Sequence, residues 1–245
     1  MTPAAGRDVA DLAARFDLSA ATATRLERLI ELLVENPEAP TTVRDRRAVV
    51  DDHLADSLVA LELPEVRSAR VVADLGAGAG PPGLVLAAAL PEAHVALVES
   101  SRRKSAFIAR AIEASQLDNA TAICTRAEAW TEGRDRHDLV TARALAAPAV
   151  VAEYAAPLLR IGGFLLLWRG IREPDAEQAG ERAAAELGLE PVRTLRVQPY
   201  AQVRNRHLHL MVKVAETPAR FPRRPGIAAK RPLGSPTARS DRSPR

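Results

Sequence analysis

The sequence predicts an α/β fold: a mostly parallel sheet of seven strands, closed by an antiparallel C-terminal hairpin and preceded by a helical cap. Three observations carry this. Between residues 71 and 187, short apolar runs alternate with helical stretches, the pattern of parallel strands joined by helical crossovers. The first run, Val71-Val72-Ala73-Asp74, passes directly into a turn with glycines at 76, 78, 80 and 83. Glycines there allow positive φ and let a ligand approach the main chain. The last two apolar runs, about 190–198 and 207–214, have no helix between them, so they pair as a hairpin.

The elements follow in order. Residues 8–17 predict a short helix, and Ser19 is the N-cap expected for a second over about 20–35. Leu26, Leu29, Ile30, Leu32, Leu33 and Val34 give it a broad apolar face. Asn36-Pro37 and Ala39-Pro40 end it. A third helix over about 46–62 places Val49, Val50, Leu54, Leu58 and Leu61 on one side, and Pro64 closes it. Strands are expected at 71–75, 94–98, 120–124, 138–142 and 163–168, with helices at about 83–90, 102–116, 148–159 and 174–187. Crossovers in such a sheet are right-handed, and ligand sits beyond the carboxyl ends of the strands. Every motif discussed next follows a strand, so all of them open on that edge.

Composition bounds the function. The 245 residues are 47 % apolar, enough for a sizeable core, but only 3 % aromatic. A single cysteine, Cys124, excludes internal disulfides and cysteine-built metal clusters. No signal peptide or run of about 20 apolar residues is visible, so the expectation is a cytoplasmic protein without a membrane partner. The net charge of +3 is uneven: residues 216–245 hold eight Arg or Lys against two acids. Such a tail suits a polyanionic partner, although charge alone equally fits a solvated, disordered segment.

Gly78-x-Gly80-x-x-Gly83 matches the dinucleotide fingerprint, which nicotinamide enzymes share. Asp74 just ahead of Gly76, together with the terminal hairpin, tilts the reading to a methyl donor, S-adenosylmethionine, held in a Rossmann-like class I methyltransferase fold. Asp74 would reach the donor's amino acid part through water or the turn. Glu99 ends the second strand, where a carboxylate accepts ribose hydroxyls; its competing reading is a charged helix start. Ala127 and Glu128 follow the third strand and border the expected adenine, with Glu128 placed to accept from its exocyclic amine. Arg143 follows the fourth strand, where it would bind an RNA phosphate or pair with a carboxylate such as Asp138. Either His53, Asp56 and Ser57 line the substrate mouth, or His53 and Asp56, at i and i+3, form a surface pair. The expected domains are a cap (1–66), a donor-binding domain (67–215) and a basic Pro/Arg-rich tail (216–245), disordered beyond about Gly234 and suited to extended phosphate contact.

Together these residues resemble the small-subunit ribosomal RNA methyltransferase G family, which methylates N7 of a guanine in 16S rRNA. The resemblance spans about 40–233. It rests on the Asp74–Gly83 turn, Arg126-Ala127-Glu128, Thr141-Ala142-Arg143-Ala144, the His53-x-x-Asp56-Ser57-Leu58 block, and the tail from Thr217 through Phe221-Pro222-Arg223-Arg224-Pro225-Gly226 to Leu233. It implies donor contacts at Gly76, Pro81, Ala127, Glu128 and Arg143, to which the glycine turn and the end of the second strand add Gly78 and Glu99. The expected RNA face comprises His53, Arg143, Arg169, Arg223 and Arg224, and the expected protein is a monomer acting on 16S rRNA or the small ribosomal subunit. The sequence departs from the family at Asp52, where arginine is expected, at Arg169, where lysine is common, and at Pro81, where an apolar side chain often packs. Alternatives left open are a non-catalytic ribosome-binding paralogue and a methyltransferase acting on a protein or a small molecule.

Overall fold

The computed structural model describes residues 8–234. The tail beyond Gly234, expected to be disordered, lies outside the described residues. The cap comprises α1 (Val9–Phe16), α2 (Ala20–Glu35) and a continuous helical segment over 46–62. Ser19 caps α2 as expected, its hydroxyl accepting from the Thr22 N–H at 3.1 Å. The 46–62 segment is not uniform. It starts as α3 (Arg46–Val49), widens into a π turn over Val50–Ala55, and continues as α4 (Asp56–Leu58) and a 3-10 turn. π turns often mark functional sites, and this one carries Asp52 and His53. All five of its expected core residues, Val49, Val50, Leu54, Leu58 and Leu61, are buried. A one-turn helix, α5 (Pro64–Arg67), leads into the sheet.

The sheet has seven strands among the described residues: β1 (Val71–Leu75), β2 (His94–Val98), β3 (Ala120–Ile123), β4 (His137–Arg143), β5 (Leu159–Arg169), β6 (Leu189–Arg196) and β7 (His207–Lys213). Their order is β3-β2-β1-β4-β5-β7-β6. The first five are parallel, while β7 pairs antiparallel with both β5 and β6. Strand order reverses between β1 and β4, the switch point at which such sheets bind ligands. The crossovers carry α6 (Gly83–Ala89), α7 (Arg102–Ala114), α8 (Pro148–Ala155) and α9 (Pro174–Glu186). β6 is an edge strand, so Pro191 costs no central ladder bond.

Alternate strand residues feed two cores. On one face Val72, Leu97, Leu139 and Leu166 pack with α6, α7 and the cap, so that Leu12, Leu29 and Leu208 belong to one cluster. On the other face Ala73, Leu75, Val140 and Leu167 pack with α8 and α9 and with Phe221 of the tail. Up to Gly234 the tail is therefore folded onto the protein rather than extended. Lys213, at the end of β7, is buried with its Nζ on the Ala156 carbonyl at 2.6 Å and on the Thr217 hydroxyl. Phe221 is 4 % exposed, and residues Ile227–Lys230 form a single turn, α10, where none was expected.

Candidate active site

The β1–α6 turn takes its shape from glycine. Gly76, Gly78 and Gly80 all have positive φ. At Gly80 a Cβ would lie 2.1 Å from Leu84 Cδ1, and at Gly83 it would meet Asp74 Oδ2 at 2.8 Å and Leu97 Cδ2 at 2.9 Å. Asp74 is wholly buried beneath the turn. Its Oδ2 accepts from the Gly83 N–H at 3.0 Å and its Oδ1 from the Thr141 hydroxyl at 2.8 Å. Burial pushes its pKa up to about 7, against the pull of those two hydrogen bonds. Asp74 therefore acts on the turn, and any influence on a ligand passes through the main chain.

Glu99 does the same from β2. Its Oε2 accepts from the Gly78 N–H at 3.1 Å and its Oε1 from the Ser101 N–H at 2.7 Å. Beyond it lies a cavity of about 190 Å³, lined by Gly76, Val98, Ser100, Ala127, Glu128 and Leu145, with Val150 and Tyr154 of α8 on its far wall. Apolar walls at Val98, Leu145 and Val150, with polar groups at one rim, fit a nucleoside-like group. Glu128 is not free for a ring amine on both oxygens: its Oε1 accepts from the Gly226 N–H of the tail at 3.0 Å. A larger groove, about 440 Å³, lies between α2 and α7 among Arg28, Glu31 and Glu35. It is remote from the strand ends and holds none of the motif residues.

At the end of β4, Arg143 joins the cap to the turn. Its Nη1 donates to the Asp52 carbonyl at 2.9 Å and to Asp56 Oδ2 at 2.8 Å; its Nη2 donates to the Pro81 carbonyl at 3.2 Å. The carboxylate partner is Asp56, 87 residues upstream, and not Asp138, whose oxygens accept from the Arg70 and Val71 N–H groups. Asp56 is wholly buried, so it does not form the surface pair with His53 that their i, i+3 spacing allowed; Ser57 is buried beside it. Asp56 also faces Arg206, with Nε 2.6 Å from Oδ1. That contact lacks the alignment of a hydrogen bond and counts as an ion pair. The Trp168 indole N–H donates to the Asp56 carbonyl at 2.7 Å. Asp52 accepts from the Tyr200 hydroxyl.

His53 stands beside this cluster. Burial, and then the Arg143 charge, lowers its pKa to about 4, so the ring is neutral near pH 7. Its Nδ1 faces Arg143 Nη2 at 3.4 Å and its Nε2 faces the Thr41 hydroxyl at 3.1 Å. Because the guanidinium has only donors, Nδ1 is the acceptor and Nε2 carries the proton. Of the expected RNA-facing cations, Arg169 pairs with Glu173 at 2.9 Å and Arg223 grips the buried Glu153 with Nε at 2.8 and 3.1 Å. Arg224 is exposed. Sequence reasoning missed Arg206, Tyr200, Trp168 and Glu153. Only Glu153 carried a local signal, as the one acid within the apolar run Pro148–Ala155.

A doubly wound sheet with an acid-braced glycine turn at its switch point, and a C-terminal antiparallel hairpin, defines a class I Rossmann-like methyltransferase. The family model for rRNA small subunit methyltransferase G matches residues 23–208, and the chain belongs to that family. It is 40 % identical over 196 residues to the ribosomal RNA small subunit methyltransferase G of Rubrobacter xylanophilus, covering 78 % of this chain and 75 % of that one. It is 39 % identical over 214 residues to the protein of that name from Chloroflexus aggregans, covering 84 % and 87 %. Among solved structures, Aeropyrum pernix fibrillarin, with natively bound S-adenosyl-L-methionine, shares the fold at a TM-score of 0.50 and 19 % identity, covering 64 % of this chain and 73 % of that one.

Proposed function

We propose that this protein transfers a methyl group from S-adenosylmethionine to N7 of a guanine in 16S ribosomal RNA, as a cytoplasmic monomer acting on the rRNA or the small subunit. The observation that carries the reading is the turn from Asp74 to Gly83, braced from below by Asp74 and from the side by Glu99, at the mouth of the β1/β4 switch point. The residues present fit the donor: Gly76, Gly78 and Pro81 would pass beneath its amino acid part, Glu99 would stand at its ribose, and Ala127 with Glu128 would border its adenine. No helix among the described residues is long and apolar enough to cross a membrane.

The donor supplies an electrophilic methyl on a sulfonium. Bound there, it would offer that methyl to the guanine N7 lone pair, the S–CH₃ electrons remaining on sulfur and the positive charge passing to the base. No proton need leave before attack, so alignment is the protein's main contribution. Arg143 ties the cap to the Pro81 carbonyl and so fixes the donor turn against the surface that would admit the RNA. His53 stays neutral and holds Thr41 and Arg143 in register. The target base must be splayed out of its stack to reach this edge. Incubating the protein with labelled donor and small subunits, assembled or partly assembled, followed by mapping of the modified nucleotide, tests the reading. Transfer to one guanine is expected; no transfer to rRNA in any assembly state overturns it.

A further inference from the structure

Residues 219–234 leave α9 at Arg220, which pairs with Glu186, pass over α8 and the rim of the donor cavity, and return to α9, where the Gly234 carbonyl accepts from Arg182 Nε at 2.9 Å; the two sides of this strap differ. Its inner side is fastened. Phe221 is buried in the second core, Arg223 holds Glu153 on α8 with its guanidinium and its main-chain N–H (2.9 Å), and the Gly226 N–H donates to Glu128. Arg223 Nη2 also donates to the Arg231 carbonyl at 2.9 Å, closing the strap on itself. Ala229 lines the cavity at its rim. The outer side presents Arg224, Lys230 and Arg231, all exposed and without a carboxylate partner among the described residues. The cavity that the strap borders measures about 190 Å³.

We propose that this strap is one element shared by two binding sites: its inner face is a wall of the donor pocket, and its outer face is a phosphate-binding surface for the RNA. The inference rests on the methyl-donor reading above. Glu128 is then a positioning residue, reporting the strap's place to the pocket through one N–H···O bond. Phosphates on the outer cations fix the strap from outside, and the donor fixes it from within. Equilibrium coupling is reciprocal, so RNA tightens donor binding and donor tightens RNA binding by the same factor.

Calorimetry on the full chain with S-adenosylhomocysteine, with and without a 16S rRNA fragment, tests this. In the wild type RNA should tighten the nucleoside at least threefold. Ala229→Phe places a bulky side chain at an exposed rim position, where folding is not at stake, and should weaken the nucleoside at least tenfold with an unchanged melting temperature. The triple variant Arg224→Glu, Lys230→Glu, Arg231→Glu should bind the nucleoside alone as the wild type does and lose the RNA effect. Unchanged affinity in Ala229→Phe, or an RNA effect that survives in the triple variant or is missing from the wild type, overturns the proposal. A wild type that binds no nucleoside at all instead overturns the donor reading.

Discussion

Replacing Asp56 by asparagine isolates the charge that joins cap to sheet. The carboxylate is fully buried, accepts from Arg143 at 2.8 Å and stands 2.6 Å from Arg206 Nε. An amide of the same shape keeps one acceptor but turns its NH₂ towards the other guanidinium, leaving two cations without a counter-charge. Breaking a buried ion pair by removing one partner costs about 3–5 kcal/mol. The arginine side chains are 15 % and 26 % exposed, so water offsets part of this, and about 2–4 kcal/mol is expected. At about 2–4 °C per kcal/mol for a domain of this size, Asp56→Asn should lower the Tm by roughly 5–15 °C in scanning calorimetry. Adding Arg206→Gln removes one of the stranded cations and should restore part of the loss, a coupling of about 1 kcal/mol or more. A fall below about 2 °C, or strict additivity of the two substitutions, refutes the argument that charge holds this junction.

Other outcomes follow from the same geometry. Asp74 and His53 should give opposite pH dependences. Burial raises Asp74 from 3.8 to about 7, so its contribution to stability is fully present below pH 4 and lost as pH rises through 7. Burial and Arg143 lower His53 from 6.5 to about 4, so its contribution is present above pH 6.5 and lost as pH falls through 4. In urea unfolding, Asp74→Asn should therefore gain on the wild type between pH 5 and 7.5, and His53→Gln should gain between pH 7.5 and 5; variant and wild-type profiles that run parallel contradict both assignments. Gly83→Ala forces a methyl against Asp74 Oδ2 and Leu97 in a closed core, costing about 1–3 kcal/mol; its affinity for S-adenosylhomocysteine should fall at least tenfold, and a wild-type affinity would separate the turn from the donor. Arg143→Lys keeps the charge but not the fork that reaches Asp52, Asp56 and Pro81 together, so methyl transfer should fall while the fold is retained, and full activity in single-turnover assays would remove Arg143 from the machinery.

The sheet and its crossovers were legible because their signals are local. Period-two and period-three-to-four patterns, the glycine turn and the Ser19 cap each lie within one short stretch, and the structure has strands and helices where those patterns put them. Where the reading slipped, a distant partner had decided. β5 begins at Leu159 rather than about 163, because Leu159 pairs with His137 across a register shift that no local pattern announces. The helix before it stops at Ala155 and gives way to a 3-10 turn holding Pro157, which cannot donate an N–H. The strap has no periodicity at all; its order comes from Glu128 and Glu153, each about 70 or more residues away. Arg143 was marked as important by its place after β4, but its partner could not be read, since Asp56 reaches it only once the cap is folded against the sheet.

Three acids that a motif reading sets against the ligand, Asp74, Glu99 and Glu128, each give at least one oxygen to a main-chain N–H: those of Gly83, Gly78 and Gly226. Their work is to hold backbone in conformations that side chains would otherwise oppose. Asp74, whose pKa burial pushes up to about 7, is in no position to take a proton from substrate, because it is sealed beneath the turn with both oxygens engaged. His53 is neutral, but its free lone pair is turned to Arg143. A general base must reach the proton it removes, and neither group at this edge does so. A nucleophile that brings its own lone pair and has no proton to lose before attack is the kind of substrate such a site suits, and guanine N7 is one. A substrate that had to be deprotonated first could use neither Asp74 nor His53 without releasing it from these hydrogen bonds, with the turn or the cap loosened at the moment it must hold still.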